Sequence, residues 1–300
     1  DLSSIDVDMV SITGHTVHGP KGIGALIKGM DTKIDPILHG SGTEFNDRPG
    51  TANIPGAVGM AKAVEIWDDG DLRSLWFDDV ILQTEIHRHD PAVLPNPLNR
   101  AMLAHLMFEP RLARVLLAGC GGGAIARWLH ARAPEVAGDA VERSGTVARL
   151  ARESFDFPSA QHSNWQLLVT DVREHLVHSA IHYDLIVVDL EEQQTTPDWL
   201  TQRAFLTGCR DHLSPRGSLT LNLIVEDSRA VSKALFAIRQ VFGSQTLLLD
   251  YPDHDNLLVF AFAADAPPTP PDDRLVELGL RWGINFQALA ERLTRLAVTA

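Results

Sequence analysis

A buried strand that breaks off into glycines constrains this chain more than any other feature. Arg114-Val115-Leu116-Leu117-Ala118 is a continuous apolar run, as expected of a strand covered on both faces, and it runs directly into Gly119-Cys120-Gly121-Gly122-Gly123. A helix is expected over 124–131. The alternation then repeats. A strand over Val136 to Val141 ends at Glu142, and Ser144 is placed to cap a helix that runs to about Ser154. Trp165 to Val169 is a strand leading to Asp171, and Tyr183 to Val188 a strand ending at Asp189. Beyond it come a helix from Trp199 to His212, a turn at Ser214-Pro215-Arg216-Gly217, a strand from Ser218 to Leu223 and a helix from Ser228 to Val241. Thr246 to Leu249 and Leu257 to Phe262 are two closing strands. Strands separated by helices of this length predict an α/β fold with a doubly wound, mostly parallel sheet.

Ligands of such sheets bind beyond the carboxyl ends of the strands. Here those ends carry the glycine loop, Glu142, Asp171 and Asp189. A glycine loop admits a ligand close to backbone N–H groups at a helix N-terminus. An acid 23 residues after Gly119, at Glu142, is spaced to accept both hydroxyls of a ribose. Asp171 is placed to accept from an adenine amino group, or to cap the helix Val172 to Val177, or both. The GxGxxG spacing admits NAD as a competitor, since Gly119 and Gly121 are followed by Ala124. The acids at the later strand ends favour a nucleoside of the adenosylmethionine kind.

The rest of the chain is less regular. Val64 to Trp67 and Leu72 to Phe77 read as a hairpin around Asp68-Asp69-Gly70-Asp71, with a third strand at Val80 to Thr84. Pro97 opens a helix carrying Leu98, Met102, Leu103, Leu106 and Met107. After the spacer Ala266 to Pro271, an amphipathic helical tail from Leu275 to Leu296 is expected to pack on the domain. Near residue 62 the composition changes: the first 60 residues hold ten of the 22 glycines and one of the 19 aromatics, Phe45. The expected divisions are therefore 1–62, 63–96, 97–264 and 265–300.

Charge and composition exclude some classes. A net charge of −13 disfavours nucleic acid and anionic membranes and is compatible with a cationic small substrate. No run of 18 apolar residues predicts a membrane span. The start of the chain has no signal-peptide pattern. Two cysteines, Cys120 and Cys209, make no disulfide framework, so a cytoplasmic location is expected. His175 and His178 lie three apart on a helix without an evident third ligand, and no metal site is expected. Cys120 has no histidine base placed beside it by sequence and reads as a small filler.

Residues 64 to about 262 resemble the spermidine synthase (polyamine aminopropyltransferase) family, in its divergent spermidine-synthase-like branch. The carrying residues are Asp71-Leu72-Arg73-Ser74-Leu75 with Gln83, Arg100 to Leu103, Val115 to Gly123, Val141-Glu142, Thr170-Asp171 and Tyr183 to Asp189. The glycine loop and the later strand motif are shared with class I methyltransferases. The resemblance implies an S-adenosylmethionine-type donor, decarboxylated or not, an amine acceptor and a methyltransferase-like Rossmann-type fold; a homodimer is a further expectation. It implies Asp189 as general base, with Gly119, Gly121, Gly123, Glu142, Asp171, Val172 and Gln83 around the donor, and Glu192 at the acceptor as the second acid of an Asp-x-x-Asp pattern. Family members carry an aspartate in the glycine loop where this chain has Gly122. Turnover with decarboxylated donor is thus expected to be slow or absent, and Gly122→Asp to raise it. Methyl transfer and non-catalytic nucleoside binding are the alternatives.

Residues 5 to 65 resemble a fragment of a cysteine desulfurase, a class V aminotransferase, through Ser11 to Gly24, His39-Gly40-Ser41-Gly42 and Arg48-Pro49-Gly50-Thr51. In that family a lysine forms the Schiff base with pyridoxal phosphate. The matching position here is Thr16, which has no amine, so pyridoxal chemistry is not expected.

Overall fold

The computed structural model describes residues 8–14, 21–29, 32–35, 42–43, 48–49, 51–55, 57, 65–77, 81–108, 112–192, 195–225, 227–243, 245–251 and 256–295. Two compact units divide the chain: residues 1–69 with 74–83, and residues 70–73 with 84–300.

In the first unit Met9–Thr13 (β1) pairs antiparallel with Gly24–Lys28 (β2), Met9 opposite Lys28. The two-residue strands Gly42–Thr43 (β3) and Arg48–Pro49 (β4) also pair. Position 16 lies outside the described residues. Glu65–Asp69 (β5), Leu72–Phe77 (β6) and Ile81–His87 (β7) form a three-stranded sheet in that order. The first turn of that sheet falls at Gly70, whose φ of 56° a side chain would disfavour.

An eight-stranded sheet dominates the second unit, with the order β10-β9-β8-β11-β12-β14-β13-β15. Its strands are Arg114–Ala118 (β8), Ala137–Glu142 (β9), Trp165–Val169 (β10), Tyr183–Val188 (β11), Leu213–Ile224 (β12), Thr246–Tyr251 (β13), Asn256–Phe262 (β14) and Leu293–Arg295 (β15). β8 to β12 run parallel to one another, and β12–β14, β13–β14 and β13–β15 are antiparallel. This is the doubly wound sheet that the alternation predicts. From β8 the chain winds outward to β9 and β10, then returns to place β11 on the other side of β8. The topological switch point therefore lies between β8 and β11, where such sheets open a crevice.

The helices are Pro97–Met102 (α1), Ala124–Arg132 (α2), Gly145–Ser154 (α3), Val172–His178 (α4), Arg203–Asp211 (α5), Ser228–Phe242 (α6), Asp272–Trp282 (α7) and Phe286–Ala290 (α8). Ser144 caps α3 by accepting from Val147 N at 3.3 Å, as its position in the sequence suggests. Four elements differ from the sequence reading, the last of them the C-terminal tail. The helix opened by Pro97 stops at Met102 and continues as a 3-10 turn, Ala104–Phe108. All residues from Ala101 to Met107 are buried, so no amphipathic stripe holds a longer α-helix in place. The helix expected from Trp199 splits into a 3-10 turn, Asp198–Thr201, and α5, with Gln202 extended between them. Strand β12 begins early: Leu213 pairs with Tyr183, the next residues bulge out, and pairing resumes at Ser218 with Leu185.

The C-terminal segment packs on the same unit. Leu275, Leu278 and Trp282 are buried, and the Trp282 ring lies 5.7 Å from that of Trp128 on α2. It is not one helix: Gly283, at φ 67°, ends α7, and the chain closes with β15 on the sheet edge. Near the amino ends of the central strands, Asp139 is 2% exposed and is held by a two-pronged pair from Arg114 and by the Tyr183 hydroxyl at 2.9 Å. Because that hydroxyl donates to the carboxylate, the His175 Nε2 lying 2.9 Å from it acts as a donor.

Candidate functional site

The site sits at the switch point. Gly119 leaves β8 with φ 88°, and its N–H donates to the Val141 carbonyl of β9 at 3.0 Å. A Cβ at Gly119 would lie 2.1 Å from the Asp189 carbonyl oxygen, so the turns after β8 and β11 touch through a position that admits only glycine. Asp189 N donates in turn to the Ala118 carbonyl at 2.9 Å. Gly121 and Gly123 also have positive φ, and the loop closes with Gly123 N on the Cys120 carbonyl at 2.8 Å before α2 begins.

Gly122 is shaped by packing rather than by backbone conformation. Its N–H donates to Thr84 Oγ1 at 2.6 Å. A Cβ there would meet Thr84 Cγ2 at 2.7 Å and the Phe155 ring at 3.0 Å, and both residues are buried. This counts against the expectation that Gly122→Asp restores a donor-binding acid: Thr84 and Phe155 would have to shift to admit such a side chain.

Glu142, at the end of β9, is half-buried and lies against the glycine loop. Its Oε1 accepts from Ser144 N at 2.8 Å and its Oε2 from Cys120 N at a long 3.4 Å. The second oxygen thus has acceptor capacity to spare for a hydroxyl pair. Next to it, Thr170 N donates to the Glu142 carbonyl at 3.2 Å, which brings Asp171 alongside. Asp171 caps α4, accepting from Arg173 N at 2.8 Å, and also pairs with the Arg173 guanidinium. The hydrogen bond from Arg173 holds the Asp171 carboxyl below the usual carboxylate range. Capping is therefore present, and one oxygen retains a lone pair for a further donor. Val172, the first residue of α4, is buried.

Asp189 is solvent-accessible as a residue although protein atoms crowd around its carboxyl. Asn222 on β12 donates to Asp189 Oδ1 at 2.8 Å, and Asn256 on β14 donates to Asn222 Oδ1 at 2.9 Å. One oxygen is tethered by the Asn222 amide. Crowding holds the carboxyl above the usual range; the Asn222 donor opposes that rise and the Glu191 charge adds to it. Solvent access limits the size of the effect.

Glu192 lies in the turn after β11, bridged to Thr195, and its Oε1 accepts from Arg143 at 3.1 Å. Gln83 is half-buried on β7, in the first unit. Cys120 is partly accessible; burial and the neighbouring Glu142 push its thiol pKa up, which disfavours the reactive thiolate. The two histidines of α4 are engaged separately, His175 with Tyr183 and His178 Nδ1 with the Glu174 carbonyl.

Sequence reasoning missed Thr84, Arg143, Arg173, Asn222 and Asn256. Two of them left a signal. Asn222 is a polar residue inside the apolar strand Ser218 to Leu223, and Arg143 directly follows the key acid. Thr84 left none, since its contact with Gly122 spans 38 positions.

Residues 99–251 match the family model described as the methyltransferase small domain, 153 of the 300 residues. The chain belongs to the methyltransferase small domain family. This chain is 28% identical over 240 residues to the polyamine aminopropyltransferase of Chromobacterium violaceum, covering 79% of the chain and 91% of that relative. A spermidine synthase solved with the transition-state analogue AdoDATO superposes with a TM-score of 0.57 at 15% identity, over 98% of this chain and 96% of that one. Human methyltransferase-like protein 13, solved with SAH, superposes with a TM-score of 0.53 at 20% identity, over 64% and 93%. These likenesses establish a methyltransferase small domain fold with spermidine synthase neighbours. Residues 1–88 match the aminotransferase class-V model. A stretch of 66 residues is 47% identical to cysteine desulfurase IscS of Methanosarcina thermophila, 22% of this chain but only 16% of the desulfurase. Among the described residues no helix is long and apolar enough to cross a membrane.

Proposed function

We propose that this chain is a transferase that moves an alkyl group from an S-adenosylmethionine-type sulfonium to an amine, aminopropyl transfer being the first reading. The observation that carries it is Asp189: the carboxylate of a solvent-accessible residue at the switch point, tethered on one oxygen by Asn222, backbone to backbone with the glycine loop. The likeness to a polyamine aminopropyltransferase, over 79% of this chain and 91% of that relative, supports the same reading.

The residues present fit such a donor. The glycine loop admits its nucleoside, Glu142 accepts from the ribose hydroxyls, and the spare lone pair of Asp171 accepts from the adenine amino group beside Val172. The sulfonium makes the attached carbon electrophilic and leaves as a neutral thioether. Asp189 holds the acceptor nitrogen by a hydrogen bond, removes its proton as the N–C bond forms, and the C–S electron pair remains on sulfur. Tethering by Asn222 removes rotamer freedom from that carboxylate in advance.

Methyl transfer is the second reading, and the match of residues 99–251 to the methyltransferase small domain model favours it. The acid that would hold a donor ammonium is absent at Gly122. Its loss costs a charge-assisted contact of about 1.5–3 kcal/mol, roughly ten- to a hundredfold in affinity, and it weakens either donor, since both carry that ammonium.

Methylthioadenosine is expected to raise the melting temperature of the protein, and Glu142→Ala to abolish the rise. A shift with NAD and none with the nucleoside sinks the assignment. For the N-terminal segment, Thr16→Lys is expected to give neither sulfide release from cysteine nor the yellow band of a pyridoxal aldimine, because the fragment covers so little of a desulfurase.

A further inference from the structure

The ion pair between Arg143 and Glu192 has an unusual position. Arg143 follows β9 and Glu192 follows β11, while β8 lies between those two strands. The 3.1 Å pair therefore crosses the carboxyl end of β8, where the glycine loop begins. It belongs to a wider alternation of charge. Arg143 also acts on Asp171, and Glu192 on Arg173, whose guanidinium is stacked 4.5 Å over Trp199. Both side chains of the crossing pair are substantially exposed, at 67% and 43%. Such pairs contribute little by themselves, so a ligand can open this one at small cost.

A site for a dication needs an unopposed acid at each end. Here the loop acid is absent and its space crowded by Thr84 and Phe155, and Glu192 is already matched by a cation. A diamine that took Glu192 would leave Arg143 unpaired beside a second positive charge. A group carrying both an ammonium and a carboxylate leaves neither residue unpaired, because each end exchanges for one member of the pair.

We infer that Arg143 and Glu192 form a clamp for an amino-carboxylate group at the mouth of the crevice. The inference rests on the nucleoside reading above and names what that site accepts besides the nucleoside. An amino-carboxylate can reach the clamp from two sources: the tail of an S-adenosylmethionine-type donor that keeps its carboxylate, or an acceptor of the amino-acid kind. Arg143 takes the carboxylate in a two-pronged contact and Glu192 takes the ammonium.

Calorimetric titration of the full chain and its Arg143→Gln variant tests this. The ligands are methylthioadenosine, S-adenosylhomocysteine and decarboxylated S-adenosylhomocysteine, followed by putrescine and ornithine added to protein saturated with methylthioadenosine. Arg143 is exposed, and equal melting temperatures of the two proteins check that the fold is kept. We expect Arg143→Gln to weaken either S-adenosylhomocysteine or ornithine by about tenfold or more, leaving methylthioadenosine unchanged and the carboxylate-free counterpart unchanged or tighter. Loss on S-adenosylhomocysteine places the carboxylate on the donor; loss on ornithine places it on the acceptor. Glu192→Gln is expected to weaken the same ligand through its ammonium. If methylthioadenosine binds and Arg143→Gln alters no amino-carboxylate ligand, the clamp is wrong and the nucleoside reading stands. If methylthioadenosine does not bind the natural protein, the nucleoside reading fails and the clamp with it.

Discussion

Asp189→Asn is expected to remove turnover by about 10²–10⁴-fold, the span that a positioned general base contributes. Binding of methylthioadenosine should persist, since the proposed nucleoside contacts come from the glycine loop, Glu142 and Asp171. The substitution suits the tether: an asparagine can turn its carbonyl oxygen to the Asn222 amide, which donates to Asp189 Oδ1 in the natural protein. Two further readouts separate a base from a structural acid. The base acts ionised, and crowding raises its pKa, so the acid limb of kcat/KM should lie above the ordinary aspartate range near ~4. A pKa raised on folding means that the folded chain holds this proton more tightly than the unfolded one. That group therefore opposes folding above its folded pKa, and the opposition is relieved as pH falls toward the unfolded value. Asp189→Asn removes the opposition, so its melting temperature at neutral pH should equal or exceed that of the natural protein. Robust turnover by Asp189→Asn with any amine of a panel would show that another group takes the proton.

Much of this site is legible in the sequence because it follows from backbone periodicity. A parallel strand buried on both faces has a continuous apolar signature, and the residue that ends it falls at the sheet's carboxyl edge. Gly119 and Asp189 follow from that rule, Glu142 also needs its spacing from Gly119, and Asp171 follows an edge strand exposed on one side; the order of β10, β9, β8 and β11 then sets these strand ends along one edge of the sheet. The dual reading of Asp171 is settled on one side: the cap exists, and the pairing with Arg173 that accompanies it was not foreseen. What the sequence conceals are contacts between side chains far apart in the chain. Asn222 and Asn256 meet because β12 and β14 pair antiparallel with Asn222 two positions from Asn256's partner Ile224. Arg143 meets Glu192 across 49 positions. Helix lengths failed where the chain is buried all round, as at Ala101 to Met107, because no polar face marks a period. At the other end, Gly283 and Asn285 punctuate a tail whose leucines alone read as one helix.

Gly122→Asp is expected to destabilise the fold and to yield no gain in turnover, against what the family pattern suggests. The position lies in a dense corner: a Cβ would stand 2.7 Å from Thr84 Cγ2, 3.0 Å from Thr84 Cβ and 3.0 Å from Phe155 Cγ. Thr84 is β-branched and stiff, and its hydroxyl is fixed by the Gly122 N–H at 2.6 Å, so it cannot swing aside without losing that bond. Phe155 is 0% exposed, so its ring is enclosed by protein. Overpacking of this kind costs about 1–3 kcal/mol, and a carboxylate brought into the corner without a partner adds a further ~1–3 kcal/mol. The sum corresponds to a fall in melting temperature on the order of 5–20 °C for a domain of this size. Thr84→Ala removes the obstructing methyl together with the hydroxyl. On its own it should destabilise modestly, by orphaning the Gly122 N–H; in the Gly122→Asp background it should restore part of the lost stability. The two changes would then be coupled by ~0.5–3 kcal/mol, the signature of residues in contact. Thermal melts of the four proteins measure this cycle. A Gly122→Asp protein that melts like the natural one and turns over decarboxylated S-adenosylmethionine faster would show that the corner is open, and that the loss of the loop acid was a change of charge rather than of shape.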